Sequence, residues 1–372
     1  MLKSTLKATA LKFGALAISM FAVATTAAKA EEINFGIIST ESSSNLKTIW
    51  EPFLKEMEAG TGLKVNAFFA SDYAGIIEGM RFNKVQVAWY GNKSAMEAVD
   101  RAEGEVFIQS VAKDGSPGYY SHLIAHKDSP LNKLEDVLKC DKSLDFGNGD
   151  PNSTSGFLVP TTYVFAANKV DPKACFKTVR SANHEANALS VANKQVHVAT
   201  NNSENLERLK KTAPDSLANI KVIWTSPLIP SDPLVWRKDL DAGVKGKIYS
   251  FLMSYGRVGE ASAVKKQQEV LAALGWAPFR PSSNDQLIAI RQLEANKKLL
   301  KIEGDDKIAA DEKAKQVAAV KADADKLAAE LKAAATNDNT KSLEAFLEAD
   351  KAGKADVIKG MIDAKVAAFA KK

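Results

Sequence analysis

The sequence predicts an α/β protein of two lobes with a helical C-terminal extension. Short apolar strand patterns alternate with amphipathic helical patterns, and the alternation occurs twice in succession. The composition then changes sharply after Glu294. The first 30 residues read as an export leader and not as part of the fold.

In that leader, Lys3, Lys7 and Lys12 precede an apolar stretch from Phe13 to Ala24, and the small-residue pattern Ala28, Lys29, Ala30 follows. This is the grammar of a signal peptide cleaved after Ala30, and a run of about a dozen apolar residues is too short for the roughly 20 that cross a bilayer. Export places the mature chain outside the cytoplasm, in an oxidising compartment. Cleavage removes four lysines and no acid, so the net charge falls from +5 to +1. A nearly neutral chain without a concentrated basic face is not built for nucleic acid.

The first lobe opens with the strand INFGIIS, residues 33 to 39. A helix over 45 to 59 follows, with Leu46, Ile49, Trp50, Phe53, Leu54 and Met57 on one face. LKVNAFFAS is the next strand, and YAGIIEGMRFNKVQVAWYG reads as a helix followed by another strand, a pattern that predicts a largely parallel sheet. The second lobe repeats it: LDFGNGD as strand, residues 155 to 168 as helix, ALSVANKQVHVATNN as helix then strand, KVIWTSP as strand. Residues 295 to 372 contain no Pro, Trp, Tyr, His, Cys or Arg. Val317, Val320, Ala324, Leu327 and Leu331 nevertheless recur at three- and four-residue steps, as in a coiled-coil seam. Thr340 with Glu344 marks a further helix start, and Val357, Ile358, Met361, Ile362, Val366 and Phe369 trace another apolar stripe. Two outcomes are open for this tail, a homodimer contact or a solvated helix without a partner, with breaks near Gly304 and Asn337 to Asn339.

Cys140 and Cys175 are the two cysteines of a chain bound for an oxidising compartment, and a disulfide within the second lobe is expected. Neither lies in a Cys-x-x-Cys pattern or near a histidine in sequence, so zinc and thiol nucleophile roles are set aside. His184 and Glu185 would open a His-Glu-x-x-His zinc motif, but Ala188 stands where the second histidine belongs. FGNGDPNSTSG lacks the lysine of a phosphate-binding P-loop, the Gly-x-Gly-x-x-Gly spacing of a dinucleotide fold and the Gly-x-Ser-x-Gly of a hydrolase. No metal, cofactor or catalytic residue is expected, and the protein is read as a non-enzyme.

The segment DPNSTSGFLVP, residues 150 to 160, carries the chemistry. Asp150, Pro151 and Asn152 form a turn, and a Ser or Thr follows where a helix begins. A helix start leaves backbone N–H groups free and carries the positive end of the dipole. Ser153, Thr154 and Ser155 add three neutral donors, a set suited to a tetrahedral oxyanion. Pro160 removes one helical bond and blurs the helix boundary.

GNGDPNSTSGFLVP, ANKQVHVATNNSENL, VIWTSPLIPSDPLVWRKDL and LGWAPFRPSSNDQLIAIRQL together resemble the periplasmic phosphonate-binding proteins of ABC importers, from about Ile33 to Leu293. The resemblance implies a type II periplasmic binding protein that closes on an alkylphosphonate and delivers it to a membrane permease. It places 31–122 and 226–294 in lobe 1 and 123–225 in lobe 2, with crossover strands near 121–127 and 222–228 as hinge and the tail at 295–372. It assigns Ser153, Thr154, Ser155 and His184 to the phosphonate, Tyr73 and Tyr119 to the ligand face, and Glu204 and Asp232 to an amino group at the far end, favouring 2-aminoethylphosphonate. Trp89 and Tyr90 end a strand but receive no role. The rival readings are a binding protein for phosphate, phosphite or another oxyanion, a secreted enzyme acting on phosphoesters, and a structural protein whose tail is its working part.

Overall fold

The computed structural model describes residues 31–371, and the leader reading lies outside the described residues. Strand Glu32–Ile37 lies between Lys64–Phe69 and Val87–Trp89 and runs parallel to both, with helices Ser43–Thr61 and Tyr73–Arg81 as crossovers. Ser42 caps the first of these helices by accepting from the Asn45 N–H, and Gly62, in the left-handed region at φ 68°, ends it. Its apolar face buries Leu46, Trp50, Phe53, Leu54 and Met57. Trp50 is the centre of an aromatic core, with ring centroids 5.5 Å from Phe35, 5.5 Å from Trp89 and 5.2 Å from Trp276.

The other half of this six-stranded sheet is antiparallel, which corrects the expectation of a largely parallel one. Pro233–Arg237 inserts between Val87–Trp89 and Gly104–Ala112 and runs against both, and Trp276–Pro281 pairs with the outer side of Gly104–Ala112. The inserted strand arrives from the second sheet and not through a helical crossover, so nothing obliges it to run parallel.

The second sheet has five strands in the order Ile220–Thr225, Ser121–His126, Val198–Asn202, Asp145–Asn148 and Thr178–Ser181. The last three are mutually parallel, whereas Ser121–His126 opposes both of its neighbours. The segments 121–127 and 222–228, expected as crossovers, are therefore largely ladder strands inside this sheet. The chain passes between sheets just outside them, where Gly118–Tyr119 pairs with Ile229–Pro230 as a short antiparallel ribbon. The register difference has a plain cause: apolar strand patterns do not say to which sheet a strand belongs.

Cys140 and Cys175 are bonded, with S–S 2.04 Å. They sit beside the cluster of Phe146, Phe165 and Phe176, which fills one face of the second sheet.

The tail is built of helices, Ile288–Glu303, Ala310–Ala334, Asp338–Lys351 and Ala355–Phe369, with the two expected breaks at Gly304 and Asn337 and a third at 352–354. Asn337, not Thr340, caps the third helix, accepting from the Thr340 N–H at 3.0 Å. Much of the apolar surface of these helices is covered by the chain itself, although Val357 remains exposed. Phe346, Ile358 and Ile362 are buried in the core of the six-stranded sheet, and Phe369 packs edge-on to Trp236 and Tyr249. Arg257 pins the arrangement, paired with Asp350 at 2.7 Å and lying 5.0 Å over the Phe346 ring. In the first stripe Val320 is buried, whereas Leu331 stays 41% exposed. The residues that would join two copies are thus largely engaged within one. Among the described residues no helix is long and apolar enough to cross a membrane.

Two stability effects follow. The disulfide closes a loop of 35 residues, for which the chain-entropy model gives roughly 3 to 4 kcal/mol; urea unfolding of the Cys140→Ser, Cys175→Ser double variant should show a loss of that size. Phe346→Ala should remove about 3 to 5 kcal/mol by opening a core cavity and taking away the surface under Arg257, read from the shift of the urea midpoint.

Candidate functional site

The polar residues singled out in the sequence come together where the two sheets face each other. Most of them sit just beyond the C-terminal ends of parallel strands, the edge at which α/β sheets hold ligands. Lys64–Phe69 leads to Tyr73, Asp145–Asn148 to Ser153, Thr178–Ser181 to His184, and Val198–Asn202 to Glu204. Tyr119 lies on the ribbon between sheets, and Asp232 immediately precedes the inserted strand Pro233–Arg237.

At one end the donors are neutral. The turn predicted at Asp150 forms, with Ser153 N–H donating to the Asp150 carbonyl at 2.8 Å. Ser153 then caps the helical segment by accepting from the Gly156 N–H at 2.9 Å. Gly149 and Gly156 are required by contact: Gly149 N–H donates to the Gly156 carbonyl at 3.0 Å, and a Cβ on Gly149 would lie 2.4 Å from the Gly156 backbone. The segment continues in wide turns, Leu158 N–H reaching the Ser153 carbonyl at 3.1 Å, and Pro160 falls between two of them. Ser153, Thr154 and Ser155 are all buried.

His184 Nε2 faces this cluster, 3.5 Å from Ser153 Oγ, 3.4 Å from Ser155 Oγ and 3.2 Å from Asn202 Nδ2. Burial, with the nearby Arg208 charge, lowers its pKa from 6.5 to about 3, so the imidazole is neutral at physiological pH. A neutral ring offers one N–H, which suits an anion without adding a charge. Tyr73 closes the cluster from the other sheet; burial raises its phenol, Asp150 and Asp232 add to this, and hydrogen bonding with Ser153 opposes it.

At the other end are two acids. Tyr119 donates its hydroxyl to Asp232 Oδ1 at 2.9 Å, and Asn92 Nδ2 lies 3.5 Å from the same oxygen. Burial, then the charge of Glu204, pushes Asp232 well above the usual carboxylate range. Burial likewise raises Glu204, partly offset by Arg208. Glu204 stands in the first turn of helix Ser203–Thr212, near the positive end of its dipole. Burial raises the Tyr119 phenol, and Asp232 and Glu204 hold it neutral as a donor. Both acids thus sit in surroundings that disfavour a second negative charge.

Several residues of this site were not singled out from the sequence. The start of helix Asn92–Arg101 faces the start of the Ser153 segment, and Lys93 N–H donates to Thr154 Oγ1 at 2.8 Å. The Lys93 ammonium is turned away and paired with Glu97 and Glu294, at 3.3 and 3.1 Å. Asn202 donates to Ser155 Oγ at 2.9 Å while capping the next helix at the Asn205 N–H. Arg208 pairs with Glu41. A Gly-Asn-Lys start without a hydroxyl cap carries no strong helix signal, and the asparagines of ATNNSEN read only as turn formers. Trp89 and Tyr90 belong to the core: Trp89 packs on Trp50 and Trp276, and Tyr90 donates to the Ile76 carbonyl at 3.0 Å. Among the described residues no group of three His, Cys, Asp or Glu could hold a metal.

The family model for the periplasmic substrate-binding protein of phosphonate ABC transporters matches residues 35–287. The phosphonates-binding periplasmic protein of Escherichia coli (strain K12) is 62% identical over 287 residues, covering 76% of this chain and 83% of that one. The phosphate-import protein PhnD of Mycolicibacterium smegmatis is 36% identical over 172 residues, 44% of this chain and 52% of that one. The crystal structure of a binding protein component of an ABC phosphonate transporter from Pseudomonas aeruginosa superposes with a TM-score of 0.79 at 56% identity, covering 82% of this chain and 98% of that one. These relatives are transport proteins and not enzymes. Phosphonate and a membrane permease are the partners, and the periplasm the location, that such a protein implies. The chain belongs to the family of periplasmic substrate-binding proteins of phosphonate ABC transporters.

Proposed function

We propose that this protein captures 2-aminoethylphosphonate by closing two lobes around it, one built on each sheet, with the Gly118–Tyr119 and Ile229–Pro230 ribbon as hinge. The phosphonate lies against Ser153, Thr154, Ser155, His184 and Tyr73. The ammonium lies between Glu204 and Asp232, with Tyr119 fixing the latter. The observation that carries the reading is the acid pair: burial raises both carboxylates, the Glu204 charge raises Asp232 further, and the nearby cation Arg208 is already paired with Glu41. An ammonium relieves that repulsion and a methyl group does not.

A bare oxyanion is the second reading, supported by the relative named for phosphate import. Calorimetry separates the two. Losing the partner of a buried charge costs roughly 3 to 5 kcal/mol, so methylphosphonate and phosphate should each bind on the order of a hundredfold or more weakly than 2-aminoethylphosphonate. Glu204→Gln and Asp232→Asn should weaken the amino ligand far more than the methyl one. Equal losses for both ligands, or phosphate binding as tight as the amino ligand, would remove the acids from ammonium recognition.

The neutral imidazole has its own signature. The His184 pKa is about 3 in the fold against an ordinary 6.5, so the unfolded chain binds the extra proton throughout that window. Its contribution to stability is full above pH 6.5 and is lost as the pH falls toward 3. His184→Gln should therefore flatten the pH dependence of urea unfolding between these limits, by up to about 1.4 kcal/mol per pH unit.

A further inference from the structure

The loop that follows strand Glu32–Ile37 meets the second lobe outside the ligand cluster, through contacts that phosphonate recognition does not use. Glu41 is buried at 3% exposure and pairs with Arg208 of helix Ser203–Thr212. Glu185, in the first turn of helix His184–Ala192, accepts from the Ser42 N–H at 2.8 Å and from the Asn45 side chain. The Glu185 N–H in turn donates to the Thr40 carbonyl at 3.3 Å. The same few residues of one lobe, 40 to 45, thus face helix starts or helix surface of the other at two neighbouring places.

Three physical features set these contacts apart from surface ion pairs. Arg208 and Glu41 are largely withdrawn from water, with side-chain exposures of 11% and 2%, so each charge depends on the other for its solvation. Glu185 uses both carboxylate oxygens on donors of the opposite lobe. Each partner lies on a different sheet's connections, so any opening about the ribbon must separate them and rehydrate both acids. A buried pair that exists only when the lobes meet contributes to the closed state and nothing to the open one.

We infer that Glu41–Arg208 and Glu185–Ser42–Asn45 form a latch between the lobes that holds the closed state and sets the rate of ligand release, whatever group the phosphonate carries. The inference rests on the lobe-closing reading above but not on the identity of the amino ligand. Arg208 also acts electrostatically on Glu204 and Tyr73, so substitution there would mix latch and ligand effects. Glu185 isolates the latch, and for Glu41, whose loss frees Arg208, methylphosphonate isolates it because that ligand brings no ammonium to Glu204.

The test is stopped-flow dissociation of methylphosphonate and of 2-aminoethylphosphonate from wild type, Glu41→Gln, Glu185→Gln and the double variant. Small-angle scattering of each protein with and without saturating methylphosphonate accompanies it. Wild type should contract on binding. Each single variant should release methylphosphonate about tenfold faster with little change in association rate, and the melting temperature without ligand should not move, because the open state lacks these contacts. Unchanged release of methylphosphonate from folded variants that still contract would overturn the latch while leaving closure intact. Faster release of the amino ligand alone would also overturn it, by returning Glu41 to the service of Glu204. Absence of contraction in wild type would remove lobe closure itself, and the latch with it.

Discussion

The acid pair Glu204 and Asp232 is the constraint around which the rest of the site is arranged. Two carboxylates drawn out of water near one another cannot both remain ionised without a compensating charge, and burial raises both. Tyr119 and Asn92 reach Asp232, while Arg208, paired with Glu41, offsets the rise of both acids only in part. Lys93, which lies on the helix that starts at the site, has its charge drawn off to Glu97 and Glu294.

At the opposite end the groups in contact with one another are neutral, and the nearby Arg208 charge is paired with Glu41. Hydroxyls, a neutral imidazole and two facing helix starts present dipoles, which can stabilise a dianion without adding charge to the interior. The fold makes this possible through a shared edge. Parallel strands of both sheets end facing each other, so the loops after Lys64–Phe69 and Val87–Trp89 in one sheet meet those after Asp145–Asn148, Thr178–Ser181 and Val198–Asn202 in the other. Direct bonds cross that line: Lys93 N–H to Thr154, and Tyr73 N–H to Asp150 at 3.1 Å.

What the sequence made legible follows the range of the interactions involved. Ser153 is a local cap, bonded three residues ahead, and the turn at Asp150 is local too, so both could be read from neighbouring residues. The apolar face of helix Ser43–Thr61 declared itself by its period. The partners of these elements did not. Glu41 meets Arg208 across 167 residues, and Thr154 meets Lys93 across 61, with no pattern in either segment to announce the match. The tail shows the same division: its stripes were visible as periodicity, but Arg257 and Trp236, which pack on Phe346 and Phe369, and Asp285, which holds the Asn337 break, lie outside the tail and carry no complementary repeat. The roles of Tyr73, Tyr119, Glu204 and Asp232 came from family resemblance, since an isolated tyrosine or acid in a loop has no chemistry of its own to read.

The tail's docking has a mechanical consequence for the site. Helix Ile288–Glu303 carries Glu294, which binds the Lys93 ammonium at 3.1 Å, and the Lys93 backbone N–H is the donor to Thr154. Asn337 and Asn339 meanwhile hold Asp285 at 2.9 and 2.8 Å, next to Gln286, whose amide donates to Asn92 at 2.9 Å. Asn92 and Lys93 are the first two residues of the helix that faces the hydroxyl cluster. The C-terminal helices therefore brace that helix start from behind, through side chains that never enter the site. A buried lysine held by two acids keeps its backbone in one place, so the Lys93 N–H that meets Thr154 is positioned in part by Glu294 and Gln286, which lie behind it.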